Sequence, residues 1–192
     1  MRSLKVWMES FAEKPSAMYV LFFLALAESS VFPIPPDVLL IAIAVSKPDK
    51  ALQAALWCTL GSLVGGVIGY LIGFGLMDVV GNPVIAMYGL ESKWEEFRSM
   101  YDEYGNLLLL GAAFTPIPYK VATIASGAFE MPILPFILIS TVGRAGRFFL
   151  VGGLIRIFGA QIKVFIDKYF DILSIVFIVL LVLGFYVVKV LL

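Results

Sequence analysis

FPIPPD, residues 32–37, interrupts an otherwise apolar stretch with Pro33, Pro35, Pro36 and Asp37. Glu28 precedes it by four residues and VLLIAIAV (38–45) follows at once. Proline removes a backbone donor and clashes with the preceding turn, so a helix running into this stretch must break. The run before it, 17–31, would make a helix of about 22 Å at 1.5 Å per residue. That is short of the roughly 30 Å hydrocarbon thickness of a bilayer. Two short apolar arms around a proline break predict a re-entrant hairpin that enters a membrane and returns to the same side. Non-helical backbone at that depth persists only against protein or water, so the break implies a polar interior.

The rest of the chain requires a membrane for this reading. Of 192 residues, 61% are hydrophobic and only 15% charged, with a mean hydropathy of +0.99. Soluble domains carry about 45–50% apolar and about 25% charged residues. Residues 51–77 and 172–188 contain no charge at all. The sequence therefore predicts an all-α polytopic membrane protein. A net charge of zero gives no basis for nucleic-acid binding, and the single cysteine, Cys58, excludes a disulfide within the chain. Without any histidine, His-based acid–base chemistry, His metal sites and Ser/Cys–His triads are excluded. No enzyme activity, cofactor or metal is expected.

The proline motif occurs twice. PIPPD (33–37) is matched by PIPYK (116–120), which carries Pro116 and Pro118 and ends on Lys120. Each copy lies between apolar runs and is followed by a longer segment rich in small residues, 51–77 or 132–155. Transporters are frequently built from such internal repeats. A hairpin plus one crossing per repeat places the copies in opposite orientations, with hairpin tips approaching the midplane from opposite faces. Asp37 and Lys120 hold equivalent places in the tips and are expected near each other.

The expected organisation is an interfacial amphipathic helix at 1–16, then a membrane transport domain at 17–155. The domain comprises repeat A (17–77), a linker helix (91–104) and repeat B (106–155). An amphipathic segment and a C-terminal crossing occupy 156–192. Although AMYVLFFLALA (17–27) resembles a signal-peptide core, acidic and basic residues flank it on the amphipathic 1–16 segment. A retained anchor is the better reading. In the linker, Trp94, Phe97, Tyr101 and Tyr104 recur at helical spacing among charges, as on a helix at a membrane surface. Lys/Arg placement (Arg2, Lys5, Lys14, Lys47, Lys50, Arg156, Lys163 and Lys168 against Lys93, Arg98 and Lys189) predicts an N-in, C-out topology.

Charges inside apolar segments are functional candidates, since each costs at least about 2.5–3.5 kcal/mol to insert. Five stand out: Glu28, Asp37, Lys120, Arg144 and Arg147. Glu28 either stabilises the hairpin or titrates. Asp37 either caps the following helix or pairs with a cation such as Lys120. Arg144 and Arg147, three apart in GRAGRF (143–148), share a helical face. They either neutralise the acids or, with Lys120, hold an anionic headgroup, because guanidinium forks bind phosphate oxygens bidentately. Gly61, Gly65, Gly69 and Gly73 recur every fourth residue, which is a helix-packing face.

ExxxFPIPPD (28–37), GxxxGxxxGYxxG (61–73), FTPIPYK (114–120) with the following SGAF (126–129), and GRxxRF (143–148) together resemble the DedA membrane protein family, also known by its SNARE-associated or VTT domain. The match is nearest its YqaA-like branch. The resemblance covers about residues 17–155. It implies two opposed re-entrant hairpins and lipid transport across the cytoplasmic (inner) membrane. For bacterial relatives the resemblance implies undecaprenyl phosphate, moved at the expense of the proton-motive force; eukaryotic relatives scramble phospholipids. It also implies that Glu28 and Asp37 are the required acidic pair and that Lys120, Arg144 and Arg147 are the required bases. Ala113 and Lys120 depart from the commoner pattern of arginines flanking the second proline turn, which leaves the lipid open. The expected function is a flippase- or scramblase-like transporter of an anionic lipid. An ion-coupled transporter of a small solute and a non-transporting membrane-assembly factor are the alternatives. Oligomeric state is left open.

Overall fold

A computed structural model describes residues 16–30, 35–115 and 118–159. The expected 1–16 helix, the crossing within 160–192, and Pro33 and Pro116 lie outside these residues. The described chain is helical: α1 (Ala17–Ser30), α2 (Asp37–Ser46), α3 (Ala51–Leu76), α4 (Asn82–Tyr88), α5 (Glu91–Phe114), α6 (Tyr119–Ala128) and α7 (Ile133–Gly159). A short 3-10 turn, Pro48–Lys50, opens α3, and a π turn, Met77–Gly81, joins α3 to α4. Among the described residues there is no strand.

Helix lengths follow the hydropathy and the prolines. Two helical stretches are long and apolar enough to cross a membrane, Pro48–Tyr88 and Ile133–Gly159. By contrast, α1 has 14 residues and α2 and α6 have 10 each. At 1.5 Å per residue these reach only about 15–21 Å. Both proline turns therefore separate helices at the places where the donor is lost. Asp37 begins α2, but no side chain caps that helix, so its carboxylate is engaged elsewhere. The linker helix expected over 91–104 and the arm expected from 106 form one unbroken helix, α5. Its middle, Gly105, is buried, and the charged first half continues into the apolar NLLLLGAAF.

The long helix α3 is the centre of the bundle, with α1 packed on one half and α6 on the other. Its glycine face makes this possible. A Cβ at Gly61 or Gly65 would collide with the carbonyls of Phe22 or Leu26 on α1. One at Gly69 or Gly73 would collide with Thr123 or with the Ile124 carbonyl on α6. α1 answers with its own stripe at four-residue spacing, Ala17, Leu21, Ala25 and Ser29, all buried. The cores follow this division. One joins Leu21, Ala25, Leu40, Ile43, Cys58 and Phe148; the other joins Tyr70, Leu109, Ala113, Tyr119, Met131 and Phe136.

The charged half of α5 is held against the end of α6 by a small clasp. Trp94 and Tyr101 stack on Phe129 with ring centroids 4.6 and 4.8 Å apart. Tyr101 also hydrogen-bonds Ser126 across 2.6 Å, and Arg98 pairs with Glu130 at 2.8 Å. Burial pushes the Tyr101 phenol above its ordinary value. Trp94 and Tyr101 thus face the bundle, while Phe97 and Tyr104 remain exposed.

Candidate functional site

α7 delivers Arg144 and Arg147 one turn apart, and the two guanidinium groups meet different partners. Arg144 is 3% exposed. Its Nη2 donates to Oε2 of Glu28 at 2.9 Å, and its Nε donates to Ser62 Oγ at 2.5 Å. Ser29 Oγ donates to the same Glu28 oxygen at 3.0 Å and lies 2.6 Å from Ser62 Oγ. A carboxylate only accepts, so the Ser29 proton is committed to Glu28 and Ser62 must donate to Ser29. The result is a closed ring: Arg144 Nε to Ser62, Ser62 to Ser29, Ser29 to Glu28, and Arg144 Nη2 back to Glu28. Aromatic faces enclose the guanidinium, with the Tyr119 and Phe148 rings at 4.8 and 4.6 Å from its carbon.

Arg147 is less buried and makes a second kind of contact. Its Nε and Nη2 reach Oδ1 and Oδ2 of Asp37 at 3.2 and 2.9 Å, a bidentate fork. Its remaining Nη1 donates to the Thr115 carbonyl at 2.6 Å. Asp37 leads out of the first proline turn and Thr115 leads into the second. One side chain on α7 therefore ties both proline turns together.

All five predicted charges lie in the described chain, and four form two ion pairs: Glu28 with Arg144 and Asp37 with Arg147. The ion pair that Asp37 makes among the described residues is thus to Arg147. Lys120 sits half-buried in the first turn of α6, directly after Tyr119. Pro35 and Pro36 precede Asp37, and Pro118 precedes α6 with φ −59°. Burying an ion pair costs desolvation that close contact and additional hydrogen bonds must offset. Here the serines and aromatic faces supply those partners for Arg144, and the Thr115 carbonyl supplies one for Arg147.

Sequence reasoning did not single out Ser29, Ser62, Thr115, Tyr119 or Phe148. Ser62 had a readable signal, because it directly follows Gly61 on the small-residue helix. A hydroxyl beside a close-packing face in an apolar helix is placed to meet a neighbouring helix. Thr115 contributes only its backbone, which no residue type signals. Among the described residues, no group of three or more His, Cys, Asp or Glu is arranged to hold a metal.

Comparison with known proteins identifies the family rather than the site. The family model described as the VTT domain matches residues 34–156. An uncharacterized protein of Haemophilus influenzae is 36% identical over 173 residues, covering 90% of each chain. An uncharacterized protein of Histophilus somni is 34% identical over 135 residues, covering 70% of each. No solved structure matches. The matched region begins at the first proline turn and ends just beyond the arginine helix, so it contains Asp37, Lys120, Arg144 and Arg147. The chain belongs to the VTT-domain (DedA) family of membrane-associated proteins.

Proposed function

We propose that this protein carries an anionic lipid, a phospholipid or a polyprenyl phosphate such as undecaprenyl phosphate, across the cytoplasmic membrane as a flippase or scramblase. The observation that carries this reading is the convergence of two paired arginines on two proline turns inside an apolar bundle. A lipid phosphate and a carboxylate compete for the same guanidinium fork. In this mechanism the ion-paired arrangement is the resting state. Protonating Glu28 or Asp37 releases its arginine, the headgroup takes the vacated fork, and Lys120 adds a third positive charge. Deprotonation re-forms the pair and expels the headgroup. The lipid tails remain in the bilayer while the headgroup passes the turns, which in this reading are the tips of two oppositely oriented re-entrant hairpins.

The test is translocation of a fluorescent anionic phospholipid and a prenyl phosphate in liposomes holding the purified protein. Wild type is expected to accelerate movement of at least one of them, and a Lys120→Ala/Arg144→Ala variant to lose most of that acceleration. Equal rates for wild type, variant and empty liposomes overturn the proposal. One observation favours a second reading. Both arginines are already neutralised, as in a purely structural clasp for a membrane-assembly factor. In that case the same variant lowers stability and leaves no flux to lose.

A further inference from the structure

The two ion pairs of the charged site differ in what each could exchange. Arg144, on α7, ties three helices together, since its partners are Glu28 on α1 and Ser62 on α3. Its side chain is 3% exposed and that of Glu28 18%. Displacing Glu28 would break the hydrogen-bonded ring twice, because its Oε2 accepts from both Arg144 Nη2 and Ser29 Oγ. The Tyr119 and Phe148 rings lie over the guanidinium and close its faces to an incoming ion. A charge buried and satisfied in this way is costly to unpair.

Arg147 differs on each point. Arg147 and Asp37 are 20% and 22% exposed, so a displaced Asp37 carboxylate is solvated rather than stranded. Arg147 Nε and Nη2 aim side by side at the two oxygens of one group, a geometry that two phosphate oxygens fit as well as a carboxylate. The third donor, Nη1, is held separately. Thr115 follows α5 in an extended conformation with ψ 173°, which turns its carbonyl out of the helical ladder and leaves it to Arg147. That contact does not involve Asp37, so the guanidinium stays aimed while its fork changes partner.

We infer that Arg147 alone exchanges its carboxylate for a lipid phosphate, positioned by the Thr115 carbonyl, while Glu28 and Arg144 with Ser29 and Ser62 form a fixed strut. This deepens the lipid-transport reading and rests on it. The strut holds α7 in register against α1 and α3, which places Arg147, three residues on, between the two proline turns. Exchange then releases the first turn, through Asp37, while the second keeps its hold on Nη1. With one exchanging fork the site admits one headgroup at a time. The fork reads two non-bridging oxygens, so phosphodiester lipids, phosphomonoester lipids and free phosphate share the chemistry it recognises.

The experiment modifies the arginines of the full chain with phenylglyoxal in phosphate-free maltoside micelles and resolves Arg144 from Arg147 by peptide fragmentation. Without lipid, Arg147 is expected to react at least fivefold faster than Arg144. Phosphatidylglycerol or a prenyl phosphate should slow Arg147 at least threefold, while Arg98, paired with Glu130 outside the site, keeps its rate. Dioleoylglycerol, which lacks the phosphate, should leave Arg147 unchanged. Asp37→Asn removes the competing charge and is expected to lower the half-protecting lipid concentration at least threefold; if that variant does not fold, the wild-type pattern decides alone. Protection of Arg144 or Arg98 as strong as that of Arg147 overturns the inference, as does protection by dioleoylglycerol. Inorganic phosphate protecting at the same concentration as lipid also overturns it, because the fork then serves a soluble anion. Translocation of the same lipids is measured after the same preparations are moved into liposomes. Translocation with Arg147 unprotected removes only this assignment, and protection of Arg147 without translocation removes only the transport reading.

Discussion

Arg147 and Asp37, 110 residues apart, form a bidentate fork with contacts of 3.2 and 2.9 Å. The same guanidinium also reaches the Thr115 carbonyl, so α7 anchors both proline turns through one residue. Lysine supplies a point charge and cannot reproduce three fixed directions. Arg147→Lys is expected to lower stability by about 2 kcal/mol, the scale of hydrogen bonds to charged groups. A double-mutant cycle of Arg147→Ala with Asp37→Ala should give a coupling of about 0.5–3 kcal/mol, read by equilibrium unfolding in mixed micelles. Additive single effects would show that the fork contributes nothing.

The Glu28–Arg144 pair is more deeply placed and should behave differently from a surface pair. Glu28→Gln leaves a buried guanidinium without its counter-charge, an effect of about 3–5 kcal/mol in buried pairs. Removing both charges, as Glu28→Gln/Arg144→Gln, should restore part of that loss. Ser62→Ala removes the acceptor of Arg144 Nε and should cost about 1–3 kcal/mol. A double variant no more stable than Glu28→Gln alone would place the cost elsewhere.

Close approach along the α3 glycine face makes a position-specific prediction. Gly65→Ala and Gly73→Ala drive a methyl into a backbone carbonyl, and backbone cannot rotate away as a side chain can. Each is expected to destabilise by about 1–3 kcal/mol, the scale of overpacking. Gly75, on the same helix, has nothing within 4 Å of its Cβ position. Gly75→Ala should change stability by no more than about 0.5–1 kcal/mol, and in the stabilising direction. Thermal unfolding of the three variants side by side decides the matter; similar losses at all three would refute the packing account.

The aromatic clasp on α5 should control local rather than global order. Phe129→Ala removes two stacked partners, each worth about 0.5–1.5 kcal/mol beyond buried area. Amide exchange across 91–104 is expected to rise several-fold, while exchange in the middle of α3 stays unchanged. Faster exchange in both segments would mean that the clasp supports the whole bundle.

Much of this was legible in the residues themselves. Hydropathy set the two long helices, because apolar length is a one-dimensional property. The prolines marked both turns for an equally local reason, a missing donor at a known position. The four-residue glycine period named the close-packing face, since helical periodicity tells which residues share a side. Misplaced charges named Glu28, Asp37, Arg144 and Arg147, because an apolar segment rejects charge wherever its partner lies. The reading of 91–104 as a separate linker helix did not anticipate the single helix Glu91–Phe114. The change from charged to apolar composition at Gly105 carries no backbone break.

Partnership was decided only in three dimensions. The sequence by itself determined that acids and bases had to be neutralised within an apolar chain. It could not determine that Glu28 meets Arg144 across 116 residues, or that Asp37 meets Arg147 across 110. Periodicity orders the residues on one helix but says nothing about which helix docks against it. That choice belongs to the packing of α1 and α6 on the two halves of α3, which sets where α7 presents its arginines. The same packing brings Ser29 to Ser62 and Tyr119 to Ser140, hydroxyls whose meaning appears only once their neighbours do.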